Sequence, residues 1–463
     1  MGLFSVSYDG RWPLALGTLV GYIGYKVWAY YRLSAFKGPP GSGWCEFWHS
    51  SALLGNNAHI QYKEVCDKYG AIARIGPNDL ITCSRELLSH MNAVRSPYTR
   101  TPWFALATRS QPGTDNIFSE LNEDVHLRSR QQMAPGYSGK DNRELEGAIN
   151  IHVQKLVHLI RSKYLSTSRL ARSFDLGNKI QYLAIDVISS VALGDSLGDL
   201  DTDSDQYHYI KATEVGLKLA TISAALGILP ILQRPWVARL LGPSEDDAIG
   251  FGRVMRLCRM RIKARLRRGI ENRSDMLASF VRHGMDTEQL VTEAVMQLVA
   301  GSDTTSTAIR SIILYVLTHP RVYAKLQAEV DAAVTIEKAP AVPDIISDAE
   351  AKNLPYMQAC IKETMRVHAP TAGLFPKRVP DGGDTVMVDG KPVFLPGGTN
   401  VSYARYGLLL DKRVYGKDAD EFRPERWLLE KNEARLAAMH RTHDLTFGYG
   451  RYQCLGKPIA LIE

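Results

Sequence analysis

The stretch TEQLVTEAVMQLVAGSDTTSTAIRSIILYVLTHP, residues 287–320, repeats apolar side chains with helical period and is the longest apolar helix in the sequence. Helical periodicity recurs in NIHVQKLVHLIRSKYL (150–165) and KIQYLAIDVISSVAL (179–193). Strand signals are short: AIARIGPNDLITC (71–83) and TVMVDGKPVFLPGGTNVSY (385–403), in which VDGKP reads as a hairpin turn. No repeat period appears, and no Gly/Ser-rich or acidic linker divides the chain after residue 41. The fold class is therefore mainly α (α+β), a large helical domain over residues 57–463 with small β-sheets.

The N-terminus predicts a different element. WPLALGTLVGYIGYKVWAYY, residues 12–31, carries one charge, Lys26, and is flanked by Trp12, Trp28, Tyr30 and Tyr31. Lys26, Arg32 and Lys37 cluster on the C-terminal side of the segment while Arg11 alone precedes it, which directs the body to the cytosol. The expectation is an N-terminal transmembrane helix within residues 1–36, a single-pass anchor; a surface-lying amphipathic helix is the alternative. KGPPG (37–41) then forbids helix and opens a proline-rich hinge over residues 37–56.

The net charge of +7 suits an acidic protein partner or an anionic membrane surface. Nucleic acid is excluded as a partner, because basic side chains are not interleaved with stacking aromatics. The basic run RVMRLCRMRIKARLRRGIENR (253–273) reads as a solvated helix face. Six cysteines without CxxC pairs argue against a disulfide framework or zinc site and for a reducing compartment. Formal glycosylation sequons stand at Asn272 and Asn400.

Three stretches carry chemistry. In FGYGRYQCLGKP (447–458), Gly448, Gly450 and Gly456 thin the backbone around Cys454. That cysteine reads as a structural thiol in a tight loop or as a soft metal ligand whose sulfur is tuned by neighbouring N–H groups. In KETMR, Glu363 and Arg366 share one helix face, and Arg426 of FRPERW is available to complete a network with Glu363. In AGSDTTST (300–307), Gly301, Thr304 and Thr305 are poor helix-interior choices, and threonine hydroxyls bond back to the preceding turn and bend a helix. Asp303 beside Thr304 is an acid next to an alcohol, the pieces of a proton relay.

Taken together and in this order, the anchor, the proline hinge, AGSDTT, ExxR, PERW and FGxG…CxG resemble the cytochrome P-450 family of haem-thiolate monooxygenases. A closer likeness is to fungal microsomal members of the pisatin demethylase type, through DNIFSELNEDVHLRSRQQMAPGYSGKDN (115–142) and the cysteine stretch. The resemblance implies heme b with Cys454 as axial thiolate and metal ligand, and Phe447 packed beside porphyrin and sulfur. It implies Asp303 and Thr304 as proton donors in dioxygen activation, and Glu363, Arg366 and Arg426 as a buried structural network. His126, Arg130 and Arg378 would hold haem propionates. It further implies NADPH-cytochrome P-450 reductase as electron donor, with cytochrome b5 as a second one, NADPH acting indirectly. The location would be the endoplasmic reticulum membrane. The substrate would be a lipophilic small molecule of fungal secondary metabolism, walled by 96–118, 205–235, Val299, Ala300 and 369–375.

Two departures stand out. Tyr452 occupies a place where the family carries a basic propionate ligand; a phenol still donates one hydrogen bond. Only nine residues follow Cys454, so the helix begun by CLGKPIALIE stops at Glu463 in mid-course. The reading is of a C-terminally truncated member, with an inactive relic and a reductase-independent haem-thiolate isomerase or dehydratase as alternatives.

Overall fold

A reciprocal cap starts the longest helix: the Asp286 carboxylate accepts the Gln289 N–H at 2.9 Å, and the Gln289 side chain accepts the Asp286 N–H at 3.0 Å. The computed structural model describes residues 11–109, 113–270, 273–341, 344–371 and 373–463. The helices that frame the site are α1 (Arg11–Arg32), α2 (Glu123–Tyr137), α3 (Leu176–Leu193), α4 (Tyr209–Ala225), α5 (Phe251–Arg268), α6 (Thr287–Thr318), α7 (Pro355–Val367) and α8 (Lys457–Ile462). The chain is predominantly helical, as the periodicity predicts. The 150–165 reading corresponds to a helix over Leu145–Leu159 that closes in a π-turn over Ile160–Tyr164.

Helix α6 ends at His319, where Pro320 cannot continue the N–H ladder. Its Leu290, Val291, Ala294, Val295 and Leu298 are buried, and it packs chiefly on α3, itself buried along most of its length. Gly301 belongs to this packing. A Cβ there would meet Ile188 Cγ1 of α3 at 2.6 Å, so the glycine serves helix-to-helix approach. Helix α5 takes up most of the basic run. It buries Val254, Met255, Cys258 and Ile262 against α6 while much of its arginine face remains in solvent.

Seven strands are described: β1 (Ile72–Arg74), β2 (Asp79–Thr82), β3 (Thr99–Arg100), β4 (Lys377–Arg378), β5 (Asp384–Val388), β6 (Lys391–Leu395) and β7 (Asn400–Tyr403). One sheet has the order β1-β2-β7-β4-β3, with β2 and β7 parallel and the other pairs antiparallel. The remaining pair, β5–β6, is the hairpin expected from VDGKP. Val388 pairs with Lys391 around Asp389 (φ 50°) and Gly390 (φ 74°), the left-handed pair a two-residue turn requires. The sequon residue Asn400 lies in β7 with its amide donating to Asp79 Oδ1; Asn272 lies outside the described residues.

The N-terminal expectation needs correction. Among the described residues no helix is long and apolar enough to cross a membrane. Helix α1 has the length, but Gly17, Gly21, Gly24, four tyrosines and Lys26 dilute its hydropathy. Its C-terminal end is also built into the body. The Arg74 guanidinium donates to the carbonyls of Ala29 and Tyr30 (3.0 and 2.9 Å) and, from the other side, to those of Gly43, Gly76 and Pro77. These are carbonyls that a helix C-terminus leaves unpaired. Tyr30 stacks on Trp44 at 4.4 Å, and the Lys37 carbonyl accepts the Arg74 N–H, so the proline segment is tied down as well.

Gly301→Ala should lower stability by about 1–3 kcal/mol through overpacking. In thermal or denaturant unfolding, combining it with Ile188→Ala should cost less than the sum of the single changes.

Candidate active site

The loop around Cys454 is shaped by backbone constraints. Phe447 ends a 3₁₀ turn (Leu445–Phe447), Gly448 and Gly450 adopt φ of 76° and 59°, and a second 3₁₀ turn covers Gly450–Tyr452. At Gly450 a side chain would also collide with the Asn92 carbonyl. The Cys454 N–H donates to the Phe447 carbonyl at 2.8 Å and closes the loop. Cys454 as a residue is exposed, although its sulfur lies deep enough for burial to push its thiol up. The N–H groups of Gly456 and Lys457, at the start of α8, and the guanidiniums of Arg130 and Arg405 oppose that shift. They are the donors that stabilise a thiolate. Phe447 is half-buried beside the loop, with the Lys457 ammonium 5.5 Å from its ring centre.

Next to this loop stands a cluster of basic side chains. His126 and Arg130 come from α2, Arg100 from β3, Lys377 from β4 and Arg451 from the loop itself. The ring of Tyr452 lies at its centre: His126 stacks on it at 5.5 Å, Lys377 Nζ is 3.0 Å from its centroid, and Arg100 and Arg451 lie at 5.2 and 5.1 Å. Arg100 and Lys377 are direct cross-strand partners and so share one face of the sheet. Like charges in that register repel, and both are buried, Lys377 at 3% exposure. Among the described residues no carboxylate lies within ion-pair distance of Lys377, and Nε and Nη2 of Arg100 are buried without a hydrogen-bond partner. Burial and then Arg100 push the Lys377 ammonium well down, and burial followed by Arg100 and Arg130 pushes His126 to about 3. Glu123 lies 3.8 Å from both His126 and Arg451, and one carboxylate set against Arg100, Arg130, Lys377 and Arg451 fits a ligand that brings more. Together with a soft sulfur on a glycine-thinned loop, the donor set fits a haem.

Two sequence expectations change here. Arg378, read as the strand residue facing the cofactor, points outward. Its side chain is 48% exposed and sits 3.5 Å from Asp381. Alternation along β4 puts the neighbouring Lys377 inside instead. The Tyr452 hydroxyl is taken by Glu123, to which it donates. Arg100, Lys377 and Glu123 were not singled out from the sequence. Arg100 was covered only as part of the 96–118 wall, and a two-residue strand offers no periodicity from which to phase Lys377.

Glu363, Arg366 and Arg426 meet in a fully buried network. Glu363 Oε1 accepts from Arg366 Nη2 (2.8 Å), Arg426 Nε (2.9 Å) and the Arg423 N–H (2.9 Å); Oε2 accepts from Arg366 Nε (2.9 Å) and Trp427 Nε1 (2.9 Å). Arg366 also donates to the carbonyls of Leu409, Ala419 and Glu421, and Arg426 to those of Tyr415 and Asp418. Burial pushes the Glu363 carboxyl up, but the two guanidiniums outweigh it and hold it below the usual carboxylate range. Trp427, another residue not singled out, supplies the last donor.

On α6, Thr304 Oγ1 donates to the Ala300 carbonyl at 2.7 Å, the back-bond that bends a helix. Asp303 is half-buried; burial raises its carboxyl, Arg310 opposes the shift and Glu214 of α4 adds to it. Ser302 donates to the Leu298 carbonyl and meets the Tyr209 hydroxyl at 3.0 Å. Of the expected substrate walls, residues 110–112 and 372 lie outside the described residues.

The sequence matches the cytochrome P450 family model over residues 39–463. It is 37% identical over 459 residues to cytochrome P450 monooxygenase ABA1 of Pyricularia oryzae, covering 97% of this chain and 88% of that one. It is 35% identical over 419 residues to cytochrome P450 monooxygenase aba1 of Botryotinia fuckeliana (90% and 81%). To cytochrome P450 monooxygenase abl1 of Leptosphaeria maculans it is 33% identical over 419 residues (90% and 72%).

Glu363→Gln or Arg366→Ala leaves a buried charge uncompensated and should cost about 3–5 kcal/mol, seen as lower Tm. Because the folded Glu363 is held below its unfolded value, the network's contribution is present above the ordinary carboxylate range. It should fade only as pH falls through the depressed folded value, in unfolding curves of the parent protein against pH.

Proposed function

Because the chain belongs to the cytochrome P450 family and its relatives are monooxygenases, we propose that it is an oxidoreductase holding haem through Cys454. Its reaction inserts one oxygen atom of dioxygen into a lipophilic small molecule of fungal secondary metabolism. The observation that carries this reading is the exposed Cys454, with two backbone donors at its sulfur, beside a basic cluster in which Glu123 is the one carboxylate among the described residues set against Arg100, Arg130, Lys377 and Arg451. When bound, the haem supplies oxygen activation.

The chain's own residues do the rest. Cys454 would give the thiolate to the haem iron; the Gly456 and Lys457 N–H groups and Arg130 and Arg405 offset part of the rise that burial imposes on its thiol. Arg100, Lys377, Arg130 and His126 hold the two propionates, with Lys377 in the role expected of Arg378. Tyr452 takes no charge there; its ring is the surface on which His126 and Lys377 lie, and Glu123 fixes its hydroxyl. Thr304 Oγ1, turned toward Ala300, and the Asp303 carboxyl, raised by burial, hold and pass a proton on the α6 face. Glu363, Arg366 and Arg426 act as a structural brace.

Electrons come from NADPH-cytochrome P-450 reductase, with cytochrome b5 as a second donor, and the net charge of +7 suits acidic flavoproteins. Residues 1–36 form the membrane-contacting part, 37–56 the tethered hinge and 57–463 the haem domain. Exposed Leu14, Leu19, Ile23 and Trp28 on α1, with Leu219, Ile222 and Trp236 near α4, favour contact with the surface of the endoplasmic reticulum membrane from the cytosolic side.

Expressed in yeast, the protein should give the thiolate-type Soret shift in a reduced, CO-bound spectrum, and that signal should sediment with microsomes. Cys454→Ser should abolish it. A parent protein without the shift would overturn the assignment, and turnover without reductase-dependent NADPH consumption would favour the isomerase or dehydratase reading. Lys377→Met should release haem to apomyoglobin at least about tenfold faster, the worth of a charged hydrogen bond. Arg378→Met should leave the rate unchanged; the reverse order would restore Arg378 to the site.

A further inference from the structure

The segment Asp115–Glu120, between β3 and α2, is a compact turn. Asn116 Oδ1 accepts the N–H groups of Phe118 and Ser119 (2.8 and 3.0 Å), and Ser119 Oγ donates to Asp115. Two buried side chains from elsewhere grip its backbone. Glu293 Oε1, on α6, accepts the Ile117 N–H at 2.7 Å. From the other side Arg100 Nη1 donates to the carbonyls of Ile117 and Phe118 at 3.0 and 2.8 Å. The turn carries the ring of Phe118, packed edge-on against Phe375 at 6.2 Å, so it brings the 96–118 wall against the 369–375 wall.

Glu293 is 5% exposed, and its second oxygen, Oε2, is buried without a hydrogen-bond partner. Packing alone would place a leucine here, since an unpaired buried oxygen is costly. We infer that Glu293 is a positioning residue: its carboxyl clamps the Ile117 backbone to α6 and so sets where Phe118 stands in the substrate wall. Burial pushes this carboxyl to about 8, so near neutral pH it is the uncharged acid, with one oxygen accepting the Ile117 N–H and its proton on the other. The opposite jaw, Arg100, belongs to the basic cluster of the cofactor. Arg100 Nε and Nη2 are the donors that would hold a haem carboxylate, so the residue that would bind the cofactor also grips the turn. The inference rests on the monooxygenase reading only for the identity of the wall.

The test is amide hydrogen exchange on the haem-loaded full chain, comparing the parent with Glu293→Leu and Glu293→Gln, alongside binding of clotrimazole as an active-site probe. Glu293→Leu should speed exchange across residues 113–121 about three- to tenfold, the loss of one hydrogen bond. It should shift the clotrimazole Kd by a similar factor while thermal stability holds or rises, because an unpaired buried oxygen has gone. Glu293→Gln keeps an acceptor for the Ile117 N–H and should restore parent-like exchange and binding. Unchanged exchange in the leucine variant overturns the clamp, as does equal loosening in both variants with residues 290–297 exchanging faster too. Should the leucine variant fail to fold, an Ile117 amide that exchanges unprotected in the parent overturns it as well. A missing CO signal would instead strike the monooxygenase reading and leave the exchange result standing.

Discussion

One carboxylate, Glu363, holds together segments that are distant in sequence. Five donors from Arg366, Arg423, Arg426 and Trp427 converge on its two oxygens, and the arginines in turn fasten carbonyls between Leu409 and Glu421. Burying such ions is costly. The arrangement survives because nearly every lone pair and proton finds a partner, and because the opposed charges share one dry site. The stretch that leads into the cysteine loop is thereby fixed by polar bonds of defined direction, where apolar packing would allow slippage. A soft ligand can be presented on a thin loop only if what precedes it does not move.

The basic cluster follows the opposite logic. Arg100 and Lys377 face each other across β3 and β4, and among the described residues neither forms an ion pair with a carboxylate, which a self-sufficient fold would avoid. Half of an electrostatic arrangement is built into the protein, and the other half is expected from its cofactor. Binding and local folding are then the same event.

Residues spaced along one element could be read from the sequence. Glu363 and Arg366 lie three apart on a helix, Asp389–Gly390 asks for a two-residue turn, and Thr304 in a helix interior asks for a back-bond. What could not be read was decided by neighbours. Whether Lys377 or Arg378 faces inward depends on pairing with Val401 and Asn400 of β7, more than twenty residues on. Gly301 reads from the sequence only as a poor helix-interior choice; the close approach of Ile188 of α3 supplies its reason. Glu123 and Arg100 have no motif; only the approach of α2 and β3 to Tyr452 gives them meaning. The N-terminal helix has the length and flanking aromatics of a span, but its glycines, tyrosines and Lys26 leave it less apolar than a membrane-crossing helix.

The Arg74 clamp on α1 has a mechanical consequence. With Ala29 and Tyr30 tied through one guanidinium to the start of the sheet, the helix and the body form a single lever with a stiff joint. A force on α1 is therefore passed to the sheet rather than absorbed at the proline segment, and helix and body turn together.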